Sequence, residues 1–270
     1  MGSGTQTVRS ADGTRIAYAR EGAGPAVVLV GGALDDGSEN AVLVPELATE
    51  FTVFDYARRG RADSGDTRPY RVSCELDDLA ALLDAAGGTA HLFGASTGGA
   101  LALEAAAAGL PVDRLVVYDV PYSVSGDAVK RWSVYRTELD EALSRGRADD
   151  ALAAFLRLGG AGDRDLADAR STPFWDELLS LAPTLAYDAA VLGDGVPPVD
   201  RLAGIHQETL VLTRSTSDPH MPALPVEYFA AAADVVVAAL ANATRRTIDA
   251  PGHAVDADAV APPVRAFLAG

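Results

Sequence analysis

Cysteine is almost absent. Cys74 is the single one in 270 residues, which excludes an intrachain disulfide and fits a reducing compartment. A lone cysteine reads as a small, half-buried residue rather than a nucleophile. Lysine is equally scarce, with Lys130 alone, and the 22 basic residues stand against 38 acidic ones for a formal charge of −16. With no basic patch to neutralise phosphates, nucleic acid is not an expected partner. The acidic residues are spread along the chain, as on a soluble, self-repelling surface. Apolar runs such as Ala26–Val30 fall far short of the roughly 20 residues that cross a bilayer, so no membrane partner is expected. The N-terminal stretch lacks a basic-then-apolar leader, and a cytoplasmic location is the expectation. What is abundant is apolar side chain: hydrophobic residues make up 49% of the chain, ample for a large core.

The order of elements is legible from pattern. Strands are expected over 5–10, 14–20, 26–30, 51–55, 90–93, 114–118, 209–213 and 245–248. Helices are expected over 74–86, with Ser73 as a cap, and over 98–108, 226–240 and 256–268. Between 124 and 192 the strand pattern stops, and four helical stretches follow, at 124–145, 148–158, 174–181 and 186–192. Strands alternating with helices imply an α/β fold, a mostly parallel, doubly wound sheet covered on both faces. The helical block is then an insertion after the sixth strand. The core is expected over 1–120 and 199–270, with a lid over 121–198.

The segment most charged with chemistry is His91-Leu92-Phe93-Gly94-Ala95-Ser96-Thr97-Gly98-Gly99. It places Ser96 where a parallel strand ends and a helix begins, the usual position of reactive groups in such sheets. Gly94 and Gly98, two residues to either side, allow a tight turn that projects the serine oxygen, and the Thr97 N–H points at any oxyanion formed there. A dinucleotide fingerprint is not matched, and no lysine stands beside the turn for a phosphate loop. A serine of this kind needs a base. Of four histidines, His91 begins a strand, His206 lies in a polar turn, and His220 follows Asp218-Pro219 near the cleft as a candidate substrate contact. His253, held by Pro251-Gly252 after the last strand, is the candidate base. Gly31-Gly32 ends the third strand, and there the Ala33 N–H joins that of Thr97 in a candidate oxyanion hole. Gly32 and Leu34 flank it as substrate-binding candidates.

These features together resemble the α/β-hydrolase superfamily, and most of all the small lidded serine hydrolases common in actinobacteria. Such proteins read Tyr-Asp-Arg-Arg-Gly-Arg-Gly-Asp-Ser after the fourth strand, where this chain has Tyr56-Ala57-Arg58-Arg59-Gly60-Arg61-Ala62-Asp63-Ser64. The resemblance implies an α/β-hydrolase fold and a third triad member, an acid that fixes the histidine tautomer. Its place is after the sixth strand, Asp119, or after the seventh, Asp218. Asp119 is favoured and Asp218 is the alternative.

The inserted block carries both tryptophans. Trp132, Tyr135 and Trp175 are the candidate aromatic contacts of an apolar small-molecule substrate. The expected activity is hydrolysis of an ester, lactone or thioester through an acyl-enzyme on Ser96, without metal or organic cofactor. Epoxide or haloalkane hydrolysis would call for Asp at position 96. The alternatives are a biosynthetic enzyme using the same site for cyclisation, acyl transfer or carbon–carbon cleavage, and a non-catalytic receptor.

Overall fold

The computed structural model describes residues 4–270. Eight strands form one sheet: β1 (Gln6–Arg9), β2 (Arg15–Gly22), β3 (Ala26–Val30), β4 (Thr52–Tyr56), β5 (Ala90–Ala95), β6 (Val112–Tyr118), β7 (Glu208–Arg214) and β8 (Ala243–Ile248). Their spatial order is β1-β2-β4-β3-β5-β6-β7-β8. The β1–β2 and β2–β4 pairs are antiparallel, and every pair from β4 to β8 is parallel. β3, β4 and β5 are buried along nearly their full length, which accounts for their continuous apolar runs.

Eleven α-helices complete the described residues. α1 (Val44–Leu47) follows a 3-10 turn over Glu39–Leu43, and α2 (Val72–Ala85) and α3 (Thr97–Ala107) follow in order. Between β6 and β7 come α4 (Gly126–Ser144), α5 (Ala148–Gly159), α6 (Asp163–Arg170), α7 (Trp175–Leu181), α8 (Leu185–Leu192) and α9 (Val199–Leu202). Then come α10 (Val226–Ala239) and α11 (Ala257–Leu268). α11 carries Pro262 and Pro263 beyond its first turn, each removing one ladder donor. None of the helices in the described residues is long and apolar enough to cross a membrane.

The sheet separates two apolar clusters. One joins α2 and α3 to Val28, Val30 and Leu92; the other seats α1 and α11 on Val27, Leu29 and Phe93. This alternation of neighbouring residues between clusters is the period-2 consequence of the pleat. The first cluster runs on into Trp132, Leu152 and Leu185, so the inserted helices share the core of the sheet. α8 packs on α3, the helix that follows the serine turn.

Two details differ from expectation. Ser73 does not cap α2, which starts two residues earlier than expected, at Val72, with Arg71 in extended conformation at the cap. α1, α6 and α9 were not expected. α6 has one buried residue, Leu166, and α1 and α9 span four residues each, so none writes a helical apolar stripe into the sequence.

Candidate active site

Ser96 sits at φ 51°, ψ −125°, the left-handed region that side chains avoid. Its N–H donates to Tyr118 O at 2.8 Å, anchoring the turn to β6. The flanking glycines are dictated by space. A Cβ on Gly94 would stand 2.5 Å from Gly98 O, and one on Gly98 would stand 2.2 Å from Val30 O. Both obstacles are backbone, so neither position admits a side chain without moving a strand. The strain at Ser96 is held by these contacts and lifts its hydroxyl toward a cavity of about 270 Å³.

Gly32, Ala33, Ser96, Thr97 and His253 all line that cavity. The N–H groups of Ala33 and Thr97 find no acceptor among the described residues. Two free backbone donors beside one serine are what an oxyanion requires. Ser96 and His253 share no hydrogen bond, and such contacts commonly tighten only when substrate binds.

His253 is oriented from behind. Its Nδ1 lies 3.3 Å from Asp119 Oδ2, and the Asp119 side chain is fully buried. Asp119 itself has φ 47°, a second left-handed residue, at the end of β6. Asp218 has another task. Its Oδ2 accepts from the His253 backbone N–H at 2.9 Å, and its Oδ1 from the His220 N–H at 2.8 Å. Burial works against ionisation of Asp218, yet these two N–H donors outweigh it and hold the carboxyl below its usual range. Of the two candidate acids, then, Asp119 faces the imidazole and Asp218 faces the backbone.

The sequence reading missed Arg214. It closes β7, is fully buried, and pairs through Nη1 with Asp119 Oδ2. The same nitrogen stands 3.2 Å from His253 Nδ1, while Nε and Nη2 donate to Thr216 O and Leu224 O. Its guanidinium lies 4.4 Å from the centroid of the Phe229 ring, a cation–π contact. The only signal was an arginine ending an apolar strand.

Asp188 was missed as well. It reaches from α8 and takes the Thr97 hydroxyl at 2.8 Å, Arg58 Nη1 at 2.6 Å and Arg61 Nη2 at 2.8 Å. Burial alone would raise this carboxyl, but Arg61, Arg58 and Thr97 outweigh it and hold it down. Arg58 forks onto Glu75 through two 2.7 Å bonds, and Arg61 donates to Gly32 O. The arginine-rich segment therefore ties the glycine loop after β3 to the inserted helices. Ala62, where the resembling pattern has Gly, lies at φ 41°, which explains the preference for glycine there.

Of the expected substrate contacts, Gly32, Trp132, Tyr135 and His220 line the cavity. Trp175 does not. It is buried among the inserted helices, with its indole N–H on Asp149 at 3.1 Å and Arg170 over its ring. Leu34 is also outside the lining; it takes φ 59° and packs toward the apolar core. His91 is buried against the edge of Phe51, and His206 is exposed in a turn, both as expected.

A serine on a strained turn after the middle strand of a parallel sheet, with an acid–histidine pair delivered by later strand ends, defines the α/β-hydrolase architecture. The chain belongs to the alpha/beta hydrolase family, whose sequence profile matches residues 27–262. It is 42% identical to an alpha/beta hydrolase from Sphaerobacter thermophilus, covering 97% of this chain and 99% of that one at a TM-score of 0.84. Two more distant structures share the fold. The esterase RhEst1 from Rhodococcus sp. is 21% identical, covers 98% of each chain and has a TM-score of 0.71. The enol-lactonase from Burkholderia xenovorans is 23% identical, covers 98% of this chain and 100% of that one, and has a TM-score of 0.67. No curated protein is a significant match.

Proposed function

We propose that the protein is a serine hydrolase that cleaves an ester, lactone or thioester of an apolar small molecule. The observation that carries this reading is the 3.3 Å contact of buried Asp119 with His253 on a cavity that also receives Ser96. His253 Nε2 takes the Ser96 proton as Oγ attacks the carbonyl carbon. The oxyanion draws hydrogen bonds from the Ala33 and Thr97 N–H groups, and Asp119 stabilises the imidazolium. His253 then protonates the leaving group, and water, activated by the same ring, releases the acid and restores Ser96. The inserted helices act as a lid. Their Trp132, Tyr135, Phe155 and Leu192, with Met221 from the loop after β7, supply the apolar surface that selects the substrate. Ester and lactone chemistry on this fold, as in the Rhodococcus and Burkholderia proteins, is consistent with this choice. The half-buried lone Cys74 supports a cytoplasmic setting.

The test is labelling with a fluorophosphonate, located by peptide mass, alongside turnover of p-nitrophenyl esters of increasing acyl length. An adduct on Ser96 and turnover that rises with chain length are expected. No adduct and no turnover would sink the proposal.

A further inference from the structure

The wall of the cavity contains one carboxyl that neither the acid–histidine pair nor the arginine network uses. Glu39 opens the 3-10 turn that precedes α1, with its own N–H held by Asp35 Oδ1 at 2.9 Å. Its Oε2 accepts from the Gly32 N–H at 3.3 Å, and its Oε1 has no partner among the described residues. The two buried carboxyls of the arginine network are consumed by the protein. Glu75 spends both oxygens on Arg58, and Asp188 spends both on Arg58, Arg61 and Thr97. Glu39 lines the cavity, so its unpartnered oxygen is available to a bound molecule.

Its place relative to the nucleophile is fixed by Gly32. A Cβ built on that residue would stand 3.1 Å from Ser96 Cβ and 3.4 Å from Glu39 Oε2. One glycine therefore separates the carboxyl from the serine, and Ala33 is the next residue along.

We propose that Glu39 is a substrate-recognition residue whose free Oε1 hydrogen-bonds a hydroxyl carried beside the scissile carbonyl, so that preferred substrates are hydroxylated acyl esters or lactones. The inference rests on the serine-hydrolase reading and adds a polar requirement to an otherwise apolar cavity. A hydroxyl is the fitting partner because it both donates and accepts, and so pairs with a carboxyl in either protonation state. Burial and the neighbouring Asp35 push the Glu39 carboxyl above its usual range, against smaller pulls from His253, the Gly32 N–H and Arg61.

The experiment compares kcat/KM for p-nitrophenyl 2-hydroxyacyl esters with that for unsubstituted esters of the same length. Wild type, Glu39→Met and Glu39→Gln are assayed, with fluorophosphonate labelling of Ser96 in each. The wild type is expected to favour the hydroxylated series by about tenfold or more, the discrimination of a buried hydrogen-bonding group. Glu39→Met should bring the ratio near one, and Glu39→Gln, which keeps one amide donor toward the cavity, should fall between. If Glu39 only braces the glycine loop, both series drop together and the ratio stays, which overturns the proposal. A wild-type ratio near one with Ser96 labelled overturns it without any variant. Absence of labelling in the wild type instead removes the serine reading, and this inference falls with it.

Discussion

Arg214 Nη1 lies 3.2 Å from His253 Nδ1, the same ring nitrogen that faces Asp119 Oδ2. Both groups cannot be served at once. For the ring to act as base, Nδ1 must carry the proton and give it to Asp119, while the guanidinium donates to the carboxylate. Removing the charge from Asp119 frees Arg214 to donate to Nδ1, which moves the ring proton to Nε2 and abolishes the base. Asp119→Asn should therefore lower kcat by about 10⁴, as wrong-tautomer variants do. In Asp119→Asn/Arg214→Met the asparagine can turn its carbonyl to Nδ1–H, and kcat should recover at least about tenfold over the single variant. A double variant slower than Asp119→Asn would contradict the tautomer argument.

Asp218 supports the same histidine through its backbone, and its substitution should behave differently. Asp218→Asn keeps one acceptor for the N–H groups of His253 and His220, so kcat should fall by less than about tenfold. Because His220 lines the cavity, Asp218→Ala should raise KM more than it lowers kcat. Steady-state kinetics of the three aspartate variants, side by side, separate the two carboxyls. Comparable losses from Asp119→Asn and Asp218→Asn would mean that the division of roles is wrong.

How much of this was legible beforehand follows from the range of the interactions involved. All eight strands and the serine turn were readable, because apolar runs and the glycines around Ser96 are imposed locally. His253 was readable because a late histidine after Pro251-Gly252 has few other purposes. The choice between Asp119 and Asp218 was not, since each follows a strand and only the side-chain direction separates them. Asp188 and Arg214 were illegible for a stronger reason. Their partners lie 91 and 95 residues away in Thr97 and Asp119, so no local pattern marks them. Trp175 was misjudged because an aromatic on an inserted helix faces the neighbouring helices as readily as the cleft.

Asp188 joins the inserted helices to the serine turn, and that coupling can be measured as stability. Asp188→Ala leaves Arg58 and Arg61 buried without their shared counter-charge, which should cost about 3–5 kcal/mol. Thr97→Val removes one neutral donor from the same carboxylate and should cost about 1 kcal/mol. The proposed oxyanion donor of Thr97 is its backbone N–H, so Thr97→Val should keep kcat within about tenfold of wild type. Urea unfolding midpoints and kcat of the two variants test both statements. A Thr97→Val enzyme that is stable but inactive would place the hydroxyl in the chemistry.

Asp55 gives the molecule a stability that declines as pH rises. It lies at the end of β4, buried, and burial together with nearby Asp35 raises its carboxyl from 3.8 to about 7. In the unfolded chain the group loses its proton near 3.8 and in the folded chain near 7, so over that interval the folded state binds the extra proton. Stability attributable to this residue is therefore full below the lower value and is lost progressively up to the higher one, by at most about 4 kcal/mol. Asp55→Asn removes the titration while keeping size and polarity. The variant should match wild type closely at pH 4 and have the higher melting temperature at pH 8, with the difference growing between them. Thermal unfolding of both proteins across that range is the check. A parallel pair of curves would mean that Asp55 ionises alike in the folded and unfolded chain.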